Sequence, residues 1–174
     1  MVASETAAGA PKHLNRQRLT QEKVMPDPKA IARAREDARE GKSPSTQAGE
    51  FVREEMRHIR EGKHGARSTK QAIAIGLSEA RRAGVRLPPP RRGTTSARIR
   101  RNAERAYARG QSGQRRRPSS KRSNATLRAL RREGRSAASR RALSKQARTV
   151  AQRRGHEARS AAARKAARTR AGSR

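Results

Sequence analysis

Large apolar residues recur at a spacing that a fold can use in one stretch of this chain, Glu50 to Leu87. Leu, Ile, Val and Phe together number 18 of 174 residues, too few for a core spanning the whole length. The formal net charge is +32, and self-repulsion on that scale opposes compaction. The chain is therefore read as mostly α with extensive disorder. A small helical hairpin is followed by an Arg/Ala-rich tail of marginal helices, with no β-sheet.

Within the stretch, Val52, Met56 and Ile59 fall at i, i+4 and i+7 and share one helical face, flanked by Phe51. Gly62 stands as the stop after that helix. A second helix is predicted from Ser68, where Ser68-Thr69-Lys70-Gln71 fits a capping box with Gln71 reaching back to the Ser68 amide. Ile73, Leu77 and Ala80 share a face and complete the expected hairpin core with Val52, Met56 and Ile59. Ala72, Gly76 and Ala80 form a strip of small residues at i, i+4 and i+8. A glycine inside a helix costs about 1 kcal/mol relative to alanine, so the strip is expected to admit a close backbone neighbour. A homodimer or a protein partner is one expected use of it. Gly84 and Pro88-Pro89-Pro90 end the helix. A hairpin of about forty residues is near the lower limit for independent folding.

The loop Gly62-Lys63-His64-Gly65-Ala66-Arg67 brings Lys63, Arg67 and Lys70 to the amino end of the second helix. Free N–H groups and the helix dipole favour an anion there. Two readings stand at this point. One is a phosphate site built from the Ser68 to Lys70 amides and these three side chains; the other is a solvated basic loop. The spacing is not that of a Walker A motif.

The run Ser68-Thr69-Lys70-Gln71-Ala72-Ile73-Ala74-Ile75-Gly76-Leu77-Ser78-Glu79-Ala80-Arg81 resembles the signature of a family of small basic bacterial and phage proteins. Those proteins carry an R-K-Q-A-I-A-I-[GA]-L-S-E-A core after a short E-F-x-x-G-K-like helix. The resemblance covers roughly residues 50–90, and Thr69 stands where arginine is usual. The family is a domain of unknown function. The resemblance implies a bacterial origin and a small basic accessory protein, and it brings no catalytic residues.

Around the hairpin the chain divides by composition. Residues 1–26 are expected to be a disordered arm. Asp27 as N-cap and Pro28 at the first helical position open a short helix within 27–41, stopped by Gly41. Residues 42–49 read as a linker, 50–90 as the hairpin domain and 91–174 as the basic tail. Net charge is +2 up to residue 50, +5 over 51–90 and +25 beyond. Glycines punctuate the tail into candidate helices at Ser96–Arg109, Asn124–Glu133, Ser136–Arg154 and His156–Ala171. Short, like-charged helices are expected to stay partly or wholly unfolded until phosphates neutralise them. The tail's Ala/Arg/Ser composition resembles that of linker-histone-like bacterial proteins.

Arginine supplies 37 of the 46 basic residues, and its planar fork suits bidentate phosphate contacts. The candidate nucleic-acid contacts begin with Lys63, Arg67 and Lys70 in the loop and Arg81 and Arg82 at the end of the second hairpin helix. Arg91, Arg92, Arg98, Arg100 and Arg101 follow the prolines. Arg115, Arg116 and Arg117 lie within a flexible basic linker, Gly110 to Ser120, Lys121 and Arg122 follow it, and Arg131, Arg132, Arg140, Arg141, Arg153 and Arg154 lie beyond. The expected function is non-sequence-specific DNA binding by a cytoplasmic, nucleoid-associated, histone-like accessory protein that neutralises phosphates. RNA binding or ribosome association is the alternative, as is a protein-interaction module with an electrostatic tail.

Several classes are excluded. With no cysteine there are no disulfides, zinc knuckles or thiol catalysis. One Phe, one Tyr and no Trp leave no aromatic platform for stacking bases. No apolar run is long enough to span a bilayer and no signal-peptide core follows the start, so no membrane association is expected. His13, His58, His64 and His156 stand apart in the sequence and read as surface histidines. No metal, cofactor or catalytic residue is expected, because so few bulky apolar residues do not build a dry pocket.

Overall fold

Asp27 opens the first helix as its sequence predicts. Its carboxylate accepts from the Lys29 N–H at 2.7 Å, and Pro28 begins α1 (Pro28–Arg39). The computed structural model describes residues 26–113 and 119–172, and all regular structure among them is helical, with no strand. The expected arm therefore lies outside the described residues except for Pro26, as do Arg115, Arg116 and Arg117.

The linker expected at 42–49 is a correction. Ser43 caps a helix that starts at once, accepting from the Thr46 N–H at 3.3 Å, and α2 runs Pro44–Arg60. Ser43-Pro44 is an N-cap followed by a proline at the first helical position, where no N–H is needed. That extra turn places Ala48 in the core. The second hairpin helix, α3 (Thr69–Arg82), follows Ser68, whose hydroxyl accepts from the Gln71 N–H at 3.2 Å. The return contact is displaced by one residue. Ser68 is extended, and the Gln71 side chain accepts from the Arg67 amide at 3.0 Å instead.

Two small clusters hold the helices. Ala30, Ala34, Ala48, Phe51, Ala80 and Val85 join α1, α2 and α3. Met56, Ile59, Ala66 and Ala72 meet Ala137 and Ala138 from the far part of the chain. Of the expected core, Met56, Ile59 and Ala80 are buried, while Val52, Ile73 and Leu77 pack partly buried against these clusters. Alanines dominate both, so the backbones come close. Gly76 marks a close approach of α3 to α2: a Cβ there would lie 2.8 Å from Val52 Cα. The Ala72/Gly76/Ala80 strip thus receives α2 of the same chain. The homodimer or partner expected there is corrected, because the close neighbour the strip admits is already in place.

The boundary expected at residue 90 is also crossed. Helix α4 (Ala97–Gln111) lies against α3, burying Ala103 and Ala106. Gln111 Nε2 donates to the Gly84 carbonyl at 3.2 Å. Beyond α5 (Ser120–Arg132), the stretch Ser136–Ala138 is a 3-10 turn rather than the start of a long helix. Ser139 caps the next helix, α6 (Arg140–Gly172), which is interrupted at Gly155 with φ 72° and ψ 171°. The turn is pinned to the hairpin at two points. Thr69 Oγ1 donates to the Ala137 carbonyl at 2.7 Å, and Arg60 Nε donates to the Ala138 carbonyl at 2.9 Å. The hairpin loop joins in: the Gly65 amide donates to Leu130 O at 2.9 Å and the Ala66 amide to Gly134 O at 3.1 Å.

Candidate nucleic-acid interface

Ion-paired cations concentrate in the front half of the chain. In the front half Arg33, Arg39, Lys42, Arg53, Arg57 and Lys63 each meet a carboxylate. Among the described residues from 91 to 168, the ion pair present is Arg100 with Glu104. Arg91, Arg92, Arg98, Arg101, Lys121, Arg122, Arg131, Arg132, Arg140, Arg141, Arg153 and Arg154 are all exposed. Arg82 is exposed at the end of α3, as are Lys63, Arg67 and Lys70 around the loop. Lys63 Nζ lies 3.3 Å from Glu61 and lowers that carboxyl's pKa. The Gly65, Ala66 and Arg67 amides, which precede the Ser68 to Lys70 amides of the expected phosphate site, are spent on protein acceptors, and Arg67 and Lys70 stand exposed beside that helix start.

Arg81 is a correction. It is 7 % exposed, and its guanidinium donates to the Leu87 and Pro88 carbonyls at 3.2 and 3.1 Å. The three prolines deny that segment a helical ladder, and Arg81 supplies the donors its carbonyls need. Arg81→Gln is therefore expected to destabilise the fold by about 2 kcal/mol and to leave DNA affinity within twofold in protein that is still folded. Arg91→Gln with Arg92→Gln should leave urea stability alone and lower DNA affinity at low salt about tenfold. Paired denaturation and binding titrations check this, and an Arg81 variant of unchanged stability and tenfold weaker binding would reverse the assignment.

The hairpin also encloses a polar cluster. Arg33 reaches from α1 to Glu50 at 2.6 Å and Glu54 at 3.1 Å on α2. Burial alone would raise the Glu54 pKa, but hydrogen bonds from Arg57 and Arg33 outweigh it and hold the carboxyl at about 2. Burial, followed by the charge of Glu55, pushes Glu79 up to about 7. The Glu55 carboxylate raises the His64 imidazole. His58 and His64 are not the surface groups that their isolation in sequence suggests. Their rings lie edge to face with centroids 6.3 Å apart. Two trios bring ligand atoms within 4.8 Å of one another: Glu55, His58 and His64, and Asp27, Glu54 and His58. The signal in the sequence is Glu55-x-x-His58, which sets both groups on one helical face, with His64 returning from the loop.

No helix among the described residues is long and apolar enough to cross a membrane. No curated protein and no solved structure matches the chain. Residues 39–91, from the end of α1 through the hairpin to the close of the proline segment, match a family of unknown function, DUF6496.

Proposed function

We propose that the chain binds nucleic acid without sequence preference, favouring DNA, as a nucleoid-associated, histone-like accessory protein that neutralises phosphates. The observation that carries this reading is the set of exposed cations without a carboxylate in ion-pair range at Arg91, Arg92, Arg98, Arg101, Lys121, Arg122, Arg131, Arg132, Arg140, Arg141, Arg153 and Arg154, beside a front half in which Arg33, Arg39, Lys42, Arg53, Arg57 and Lys63 meet carboxylates. Such a surface attracts counterions that a polyanion releases on binding, which supplies affinity without reading bases. The hairpin holds the helices that display this charge. RNA presents the same phosphates and is an outcome of the test below.

The test uses the full chain with two duplexes of unrelated sequence, single-stranded DNA and a structured RNA of equal length, across a salt series. If about eight phosphates are neutralised, log K should fall with log salt at a slope of about −7 on duplex DNA. The two duplexes should agree within threefold. Arg153→Gln with Arg154→Gln should flatten the slope by about 2. A slope near zero, or a preference of more than tenfold between the duplexes, would refute the reading. A tenfold preference for the RNA at every salt concentration would move it to RNA.

A further inference from the structure

Glu55 is a buried carboxylate whose surroundings among the described residues do not account for it. It is 2 % exposed on α2, and its Oε1 has no hydrogen-bond partner in the protein. Its neighbour Glu54 is satisfied by Arg33 and Arg57. Among the described residues Glu55 meets neither a lysine nor an arginine; its Oε2 faces His64 Nε2 at 3.5 Å, a long contact. A buried carboxylate without a paired cation costs several kcal/mol.

Two imidazoles place a ligand atom within 4.8 Å of it. His64 Nδ1 lies 3.2 Å from the Gly65 carbonyl. A proton on Nδ1 donates there and leaves Nε2 with its lone pair toward Glu55. Backbone carbonyls commonly orient metal-binding histidines in this way. His58 sits one turn along α2 from Glu55. Its Nε2 is buried and lies 3.1 Å from Glu54 Oε1, but out of line for a hydrogen bond. The other trio, Asp27, Glu54 and His58, already has Arg33 and Arg57 as cations, so the trio that lacks positive charge is the one with Glu55.

We propose that Glu55, His58 and His64 form a binding site for a divalent transition-metal cation of the zinc class. Two imidazoles and one carboxylate suit a borderline-soft ion better than calcium or magnesium, which take oxygen ligands. Zinc bonds of about 2.1 Å set tetrahedral ligand atoms about 3.4 Å apart, so from the 4.8 Å limit they close by at most about 1.4 Å. Glu55 and His58 ride on one helix, and Gly65 and Ala66 pin the loop to residues 130–134, so side-chain rotation of Glu55, His58 and His64 makes the adjustment. Three protein ligands leave a fourth position for water. The competing occupant is a proton shared between His64 and Glu55.

The test uses the full chain stripped with chelator and titrated with Co2+ as a spectroscopic probe and Zn2+ as the stabilising ion. One equivalent of Co2+ should give visible absorption of a four- or five-coordinate centre, and Zn2+ at 100 times its Kd should raise Tm by about 10 °C. His64→Gln and His58→Gln should each weaken Zn2+ binding at least 100-fold, while His156→Gln leaves it unchanged. Far-UV CD on each variant separates lost binding from lost fold. The wild-type Co2+ spectrum needs no variant. No Co2+ band and no Zn2+ shift at 1 mM, or binding that survives both histidine changes, would overturn the site in favour of the shared proton.

Discussion

Replacing Gly76 by leucine is expected to unfold the hairpin. A Cβ at this position lies 2.8 Å from Val52 Cα and 2.9 Å from Val52 N, both backbone atoms that cannot swing aside. A leucine carries three further carbons into that contact. Overpacking of a close-packed site costs about 1–3 kcal/mol, and more where backbone must move. A scaffold of this size holds only about 3–5 kcal/mol in total. The substitution therefore removes most of the margin, and α2 and α3 separate. Gly76→Ala is a graded companion. Its Cβ meets the same Val52 backbone, so the strain exceeds the gain of about 1 kcal/mol in helix propensity, and a clear loss smaller than the leucine's is expected. Urea titration followed by CD at 222 nm reads both. A leucine variant with the wild-type midpoint would show that α2 and α3 do not pack as described.

The second large effect is at Gly65. An alanine Cβ there would fall on the Glu133 carbonyl, with the Gly134 carbonyl oxygen close behind. Here the obstacle is again backbone, but it belongs to a segment some seventy residues away in sequence. Gly65→Ala is expected to lift that segment off the hairpin and leave α2 and α3 paired. The loss comprises the Gly65 and Ala66 amide bonds and the cover that Ala137 and Ala138 give Met56 and Ile59. At about 1 kcal/mol for each bond, docking weakens by roughly 2 kcal/mol or more. Amide exchange at Ala66 should then quicken about thirtyfold, while the amides of α3 beyond Gly76 hold their protection. Unchanged exchange at Ala66 would mean that the loop and the C-terminal segment do not meet.

These two glycines mark the difference between what could be read from the chain and what could not. The helix starts at Asp27 and Ser68 and the shared face of Met56 and Ile59 are local signals, and each was legible. Gly76 announced a close approach but not its partner, because a strip of small residues fits any backbone. The docking of Ser136–Ala138 left no trace. Its contacts are alanine methyls and carbonyl oxygens, which carry neither a hydrophobic period nor a distinctive residue type. Arg81 was misplaced for a related reason: an arginine that satisfies carbonyls after a proline run looks in sequence like any other arginine. His58 and His64 looked solitary because the loop that returns His64 toward α2 is set by contacts with residues 130–134.

The anchored turn at Ser136–Ala138 gives the molecule a measured reach. Helix α6 departs from a fixed point on the hairpin and keeps one direction until Gly155 turns the chain. At 1.5 Å per residue, Arg140 and Arg154 stand about 21 Å apart, the length of roughly six base-pair steps. A charge that would otherwise spread along a loose tail is laid out on a rod of set length.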